Sequence, residues 1–371
     1  MEGDQIRINK WLTPLSWLYE AGTEGRNALF DAGILKSRSF RIPIINVGNI
    51  TVGGTGKTPH VEYLIRLLSP KYKVAVLSRG YKRKSKGYVL AQPDSTVEEI
   101  GDEPWQIKQK FPHIYVAVGA NRCKGIERLM TDEATRDVEV ILLDDAFQHR
   151  YVKPGLNILL TDYHRLITED KVLPAGRLRE KASGRYRANT VIVTKCPRQM
   201  TPIEFRVIEK KLGLMPCQDL FFSTYAYGQM KALFHEKEMQ IHEQAATNVL
   251  LLTGIGNPKQ MESDLKPHVC SVKSHSFPDH HFFSPKDIAD IHQAFSQMPQ
   301  PKLIITTEKD ATRLQSRTDL SPEIKDYIYV LPIEVHIMRN ATSKFNEKLF
   351  RYVQKNPRHR SVAQRKNHHK P

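Results

Sequence analysis

Residues Thr51-Val-Gly-Gly-Thr-Gly-Lys-Thr58 directly follow Arg41-Ile-Pro-Ile-Ile-Asn-Val-Gly48, a β-branched run that reads as a buried strand, and residues 60–68 behind them carry helical spacing. A glycine-rich turn between a strand and a helix lets backbone N–H groups approach phosphate oxygens, and the helix start adds positive partial charge. Lys57 would then reach the β- and γ-phosphates of a nucleotide, and the Thr58 hydroxyl would serve Mg2+. The usual pattern begins with glycine, where this chain has Thr51, but Gly53, Gly54 and Gly56 keep the loop glycine-rich. Thr51, Val52, Gly53, Gly54, Thr55, Gly56, Lys57 and Thr58 are therefore all expected to bind nucleotide.

That loop constrains the rest of the chain. Short apolar runs at 73–78, 114–118, 138–143, 156–161 and 190–194 alternate with helical stretches. This predicts an α/β fold: a P-loop NTPase-like, doubly wound, mostly parallel sheet covered by helices. Runs at 221–225, 249–253 and 303–307 predict a second, smaller α/β domain. The expected division is an N-terminal amphipathic interface helix in 1–36 and a P-loop core in 37–220. A smaller domain closing the cleft follows in 221–355, then a basic, disordered tail in 356–371.

A Mg2+ site needs acid at the end of a strand beside the loop. Val138-Glu-Val-Ile-Leu-Leu-Asp144-Asp145 is an apolar run ending in acid, so Asp144 and Asp145 are expected at the metal. Guanine-reading P-loop proteins carry an Asp two residues beyond the lysine of a later Thr-Lys segment. Thr194-Lys195-Cys196-Pro197 lacks it, which favours ATP.

Lys and Arg number 56 against 40 Asp and Glu, a net charge of +16, which favours anionic partners. Part of the excess is Lys355, Arg358, Arg360, Arg365, Lys366 and Lys370, in a stretch without acid. No pattern of basic residues interleaved with aromatics appears, so nucleic acid is not the expected partner, and no protein partner is evident. The four cysteines are scattered, with no metal-ligand or redox-pair spacing, as expected in a reducing compartment. No segment has the ~20 apolar residues of a membrane span. Ile8, Trp11, Leu12, Leu15, Leu18, Tyr19 and Gly22 do share one helical face. Such a face suits either a bilayer surface or a helix packed on its own core.

Several segments together resemble the tetraacyldisaccharide 4′-kinases, the lipid A 4′-kinase family. They are Pro14-Leu-Ser-Trp-Leu-Tyr19 with Arg26-Asn27, the loop from Val47 to Pro59, Leu77-Ser-Arg-Gly-Tyr81 and Gly101-Asp-Glu-Pro104. Asp144-Asp-Ala-Phe-Gln-His149, Pro174-Ala-Gly-Arg-Leu-Arg-Glu180, Phe277-Pro-Asp-His280 and Thr307-Glu-Lys-Asp-Ala311 complete the set. Ala146-Phe147 departs from the Gly-Leu expected of the family, and a repacked turn is the expected consequence. The resemblance implies transfer of the ATP γ-phosphate to the 4′-hydroxyl of a lipid A disaccharide 1-phosphate precursor. The partners implied are an acidic glycolipid and the cytoplasmic membrane surface, with the protein peripheral on the cytoplasmic face of the inner membrane.

The hydroxyl proton needs an acceptor. On its own, Asp102 reads as a turn or cap residue and His280 as a loop histidine. The resemblance implies that these two act as a catalytic pair, which closure of the domains over substrate would bring together. It also gives Glu180 an active-site role, through Mg2+ or water. Arg79, which follows a strand end, is a candidate for binding phosphate, and Gln148, His149 and Arg177 join it as candidate substrate contacts. Two other readings compete: a P-loop NTPase serving as a conformational switch or metallochaperone-type carrier, and a nucleic-acid-dependent ATPase.

Overall fold

Continuously apolar strands predict a sheet buried on both faces, and that is what forms. The structure, a computed structural model, describes residues 8–254, 259–278, 281–315 and 317–358. It divides into two compact units, Met1–Thr224 with Val335–Pro371, and Tyr225–Glu334.

The first unit opens with helix α1 (Thr13–Asp31) behind a single 3-10 turn, Lys10–Leu12. Strand β1 (Ile44–Gly48) leads through the glycine-rich loop into α2 (Lys57–Leu68). Then come β2 (Val74–Ser78), β3 (Val89–Leu90), α3 (Val97–Ile100), α4 (Asp102–Lys110) and β4 (Tyr115–Val118). They are followed by α5 (Arg122–Thr131), β5 (Val140–Asp144), β6 (Leu156–Asp162), β7 (Thr190–Thr194), α6 (Pro202–Leu212) and β8 (Asp219–Tyr227).

Strand β1 sits centrally, between β5 and β6, and all three are parallel. Its five residues are buried, as a strand covered on both faces requires. In register, Val47 pairs with Asp144, so the acid at the end of β5 emerges beside the loop leaving β1. Chain order reverses about β1, and ligands of such sheets bind at the carboxyl ends of strands at that point. On one side, Leu77, Ala117, Ile141 and Leu143 pack with Ile126 and Leu129 of α5. On another, Leu159, Val191 and Val193 pack with Phe205, Ile208 and Leu212 of α6.

The second unit holds β9 (Met230–Ala232), β10 (Glu238–Met239), β11 (Asn248–Thr253), α7 (Lys259–Leu265) and β12 (Ser271–Ser276). It continues with α8 (Pro285–Ser296), β13 (Lys302–Thr306), α9 (Glu308–Gln315), α10 (Pro322–Lys325) and β14 (Ile328–Val330). Its strand order is β10-β9-β14-β13-β11-β12, with β11 to β14 parallel. Residues of β11 alternate between two cores: Leu250 and Leu252 face α8, whereas Val249 and Leu251 pack with Met261 and Leu265 of α7.

The smaller unit ends earlier than the expected 221–355. Strand β15 (Ile333–Ile337) joins β8 at the edge of the first sheet, and α11 (Thr342–Lys355) packs back on the first unit. Two side chains tie α11 there. Lys348 donates to Thr190 Oγ1 at 2.7 Å and pairs with Asp219. The Tyr352 hydroxyl donates to the Ile44 carbonyl and accepts from the Ile44 N–H, both at 3.0 Å. Removing a buried hydrogen-bonding partner costs about 1–3 kcal/mol. Tyr352→Phe should therefore lower the thermal unfolding midpoint by several degrees, and an unchanged midpoint would show that this contact does not hold the start of β1.

Candidate active site

The glycine-rich loop leaves β1 and is clasped from outside by the segment before Glu180. Val52 donates its N–H to the Arg177 carbonyl at 2.7 Å, and Arg179 donates to the Ile50 carbonyl at 2.7 Å. From beneath, Thr194 at the end of β7 donates its hydroxyl to the Thr55 carbonyl at 2.9 Å. Asn49 reaches Thr55 Oγ1 at 2.7 Å. Thr51 and Thr55 are buried by these contacts, while Val52, Gly53 and Gly54 remain exposed. A Cβ placed on Gly53 or Gly54 would meet no protein atom within 4 Å, so the protein leaves space over the loop.

At the start of α2, His60 is buried and bonds through Nδ1 to the Gly56 carbonyl at 2.7 Å. Its Nε2 meets Ser223 Oγ of β8 at 3.0 Å. Burial pushes this imidazole down to about 4, so it is neutral near pH 7 and carries its proton toward the loop carbonyl. The sequence offered no hint of this brace, because Ser223 lies far along the chain.

One carboxylate links the loop lysine to an arginine of the clasp. Lys57 Nζ lies 3.8 Å from Asp145, and Arg179 Nη1 lies 3.1 Å from the same carboxylate. Asp145 sits at φ +48°, a left-handed conformation that costs a non-glycine residue energy and is common where function dictates geometry. Beside it, Asp144 is buried. One of its oxygens accepts from Ser78 at 3.2 Å, and the other has no hydrogen-bond partner. Burial first, then the charges of Glu103 and Asp145, raise this carboxyl to about 7 against the pull of Lys57 and Arg122. A buried carboxylate with an unclaimed oxygen beside the open loop suits a divalent cation that also bonds phosphate. Thr58, half-buried at the start of α2, belongs to the same rim.

Glu180 is buried at the end of the clasping segment. Its carboxylate accepts from Gln148 at 3.2 Å, from Asn27 of α1 at 3.2 Å and from Arg187 at 2.9 Å. Gln148 is spent on framework contacts: its amide also donates to the Asn49 carbonyl at 2.6 Å, and its oxygen accepts from Arg179 at 3.3 Å. Phe147 is buried in the core with Arg187 over its ring, so the departure at Ala146-Phe147 is indeed accommodated by packing. His149 is pushed down to about 4 by burial and by the charges of Arg122, Arg26 and Arg79. It is therefore neutral, with a buried Nε2 that has no partner. Arg79 and Arg177 are exposed.

Arg122, at the start of α5, was not anticipated. It is buried, donating to the Gly119 carbonyl at 2.6 Å and the Asp144 carbonyl at 3.3 Å. Asp102 opens α4 directly after Gly101, whose φ of +91° and approach to the Tyr81 carbonyl leave no room for a side chain. His280 lies outside the described residues. Its neighbour His281 pairs with Asp287 at 2.9 Å. In Thr307-Glu-Lys-Asp-Ala311, Asp310 is buried and accepts from the Gly254 N–H at 2.8 Å and the Thr307 hydroxyl at 2.7 Å. That signature is explained by local architecture. Lys195 Nζ is paired with Asp162 at 2.7 Å, so a carboxylate does lie near the base-reading segment, contributed by β6.

Residues 8–354 match the tetraacyldisaccharide-1-P 4′-kinase (LpxK) family. The chain belongs to this family. A tetraacyldisaccharide 4′-kinase of Phocaeicola vulgatus is 54% identical over 366 residues, 98% of this chain and 100% of the relative. One of Porphyromonas gingivalis is 47% identical over 356 residues, 95% and 99% of the two chains. Among solved structures, "apo" form LpxK from Aquifex aeolicus in complex with ATP aligns with a TM-score of 0.69 at 30% identity. It covers 93% of this chain and 99% of that one, so family and fold agree along nearly the whole length.

Two outcomes test the electrostatics. A carboxyl raised from 3.8 to about 7 binds its proton more tightly folded than unfolded. Its contribution to stability is full below the unfolded value and is lost as pH rises through the folded one. The metal-free, nucleotide-free protein should lose thermal stability between about pH 4 and pH 7. Asp144→Asn should flatten that slope and melt higher than the parent at about pH 8, while abolishing turnover. A parent-like slope in Asp144→Asn would contradict the assignment. Gly54→Ala should keep the parent's unfolding midpoint and lose ATP affinity about tenfold or more, since the added methyl occupies space the protein leaves to phosphate.

Proposed function

We propose that this protein transfers the γ-phosphate of ATP to the 4′-hydroxyl of a lipid A disaccharide 1-phosphate precursor at the cytoplasmic face of the inner membrane. The carrying observation is the convergence of Lys57, Asp144 and Asp145 on the open glycine-rich loop, in a chain of this family.

Lys57 and the loop N–H groups bind the phosphates and draw off charge as the terminal group moves. Thr58 and Asp144 would hold Mg2+, with Asp145 and Glu180 beside them, and the bound ion supplies charge neutralisation on the phosphates. Asp145, between Lys57 and Arg179, keeps the lysine aimed until nucleotide arrives. The proton of the 4′-hydroxyl passes to His280, whose tautomer Asp102 fixes, as the oxygen attacks phosphorus and the bond to the ADP leaving group breaks. The support for that pair is its match to the family's motifs. Arg79 and Arg177 are exposed cations at the rim that suit the acceptor's 1-phosphate. The neutral, cation-flanked His149 is a wall that tolerates anions.

Attachment to the membrane surface is supported by the direction in which α1 faces. Its half-buried and buried positions are Thr13, Ser16, Glu20, Thr23, Asn27 and Phe30, a stripe at spacings of three and four that is mostly polar. Its apolar side points away from the protein, with Leu18 73%, Trp17 65% and Leu15 55% exposed, and Trp11 in the turn before it is 94% exposed. A helix packed on its own core would show the reverse, whereas an interfacial helix buries this face among lipid headgroups. Among the described residues no helix is long and apolar enough to cross a membrane.

The test is incubation with [γ-32P]ATP, Mg2+ and a lipid A disaccharide 1-phosphate precursor. Label should move to lipid; ADP and free phosphate with unlabelled lipid would contradict the proposal. Asp102→Ala and His280→Ala should each lower kcat by about 10²–10⁴-fold with little change in ATP affinity. Parent-like turnover in either variant would remove that residue from the pair.

A further inference from the structure

The polar face that α1 turns to the protein is bonded along its length to the segment carrying the active-site residues. Ser16 Oγ donates to the Val172 carbonyl at 2.9 Å and accepts from the Ala175 N–H at 2.9 Å. Lys181 bridges Glu20 at 2.8 Å and Glu24 at 2.6 Å. Between these grips lies Glu180, and one side chain of the helix reaches its carboxylate.

That side chain is Asn27, and its two ends are used differently. Its amide nitrogen donates to Glu180 Oε2 at 3.2 Å, whereas its oxygen accepts from Arg150 Nη1 at 3.3 Å. Arg150 also donates to the Asn27 carbonyl at 3.0 Å, is paired with Asp31 and lies over the Phe30 ring. The arginine thereby fixes which end of the amide faces Glu180. Gln148 and Arg187 supply the remaining donors to that carboxylate. A carboxylate ringed by three donors from three separate parts of the chain has one orientation, which catalysis beside a phosphate needs.

We propose that Asn27 is a positioning residue for the phosphoryl transfer, and that α1 is a working part of the active site as well as a membrane contact. The proposal rests on the reading of Glu180 as an active-site carboxylate. Its amide holds Glu180 against the reaction's end of the loop, and the helix that touches the bilayer carries that amide.

The discriminating variant is Asn27→Asp. The introduced carboxyl has the shape of the amide and still accepts from Arg150. As a carboxylate it cannot donate to Glu180 and repels it. The charged groups facing it are Glu180 and Arg187 on one side and Arg150, backed by Asp31, on the other. At about pH 8.5, kcat should fall about tenfold or more, while the affinity for a fluorescent ATP analogue stays within about twofold. Asn27→Ala should likewise lose kcat with its ATP affinity retained. Both variants should sediment with vesicles of phosphatidylethanolamine and phosphatidylglycerol as the parent does.

Parent-like kcat in Asn27→Asp, or a loss of ATP affinity as large as the loss of kcat, would overturn the proposal. Glu180→Gln separates it from the reading beneath it. Full turnover there removes Glu180 from the reaction and the proposal with it. Loss in Glu180→Gln beside an unaffected Asn27→Asp removes Asn27 alone.

Discussion

The backbone clasp between the glycine-rich loop and the segment before Glu180 is the contact on which the site depends. Val52 and Ile50 on one side meet Arg177 and Arg179 on the other, so a loop that must stay open toward phosphate is rigid at its rear. The same clasp delivers Arg179 to Asp145 and Glu180 to Gln148, and with Asp145 comes Lys57. Outside the clasp lies α1, whose polar stripe bonds the same segment. Glycine-rich loop, carboxylates and α1 thus form layers joined by hydrogen bonds of ordinary length.

The site carries costs that only function explains. Asp144 keeps a buried oxygen without a partner, Asp145 holds a left-handed backbone, and Arg122 is a buried cation. Each opposes stability in the free protein. Together they suit the cation and polyphosphate of the proposed reaction, whose charges would complete what the protein leaves open. The neutral states of His60 and His149 fit the same logic, since neither imidazole adds charge near pH 7.

Much of this was legible in the chain. Strands buried on both faces are written as unbroken apolar runs, so those ending near Ser78, Asp144 and Thr194 could be seen, along with the loop between strand and helix. The acid at the end of β5 was readable because a neighbouring parallel strand must end where the loop begins. What escaped depends on partners remote in sequence. Asn27 meets Glu180 and His60 meets Ser223 across more than a hundred residues, and no local pattern marks either pair. The return of β15 and α11 to the first unit escaped for the same reason, since edge pairing with β8 leaves no mark in its composition. The helical stripe from Trp11 to Leu18 could be seen, but which side faced the protein could not, because periodicity has no sign.

The central claim is that residues 51–58 hold a triphosphate, with Lys57 as its cation. Titration of the protein with a fluorescent ATP analogue and Mg2+, in the parent and in Lys57→Met, measures this most directly. The account predicts saturable binding that ATP displaces in the parent, and an affinity lower by about tenfold or more in Lys57→Met with the unfolding midpoint retained. Equal affinity in the two proteins, or no saturable binding in the parent, would contradict it.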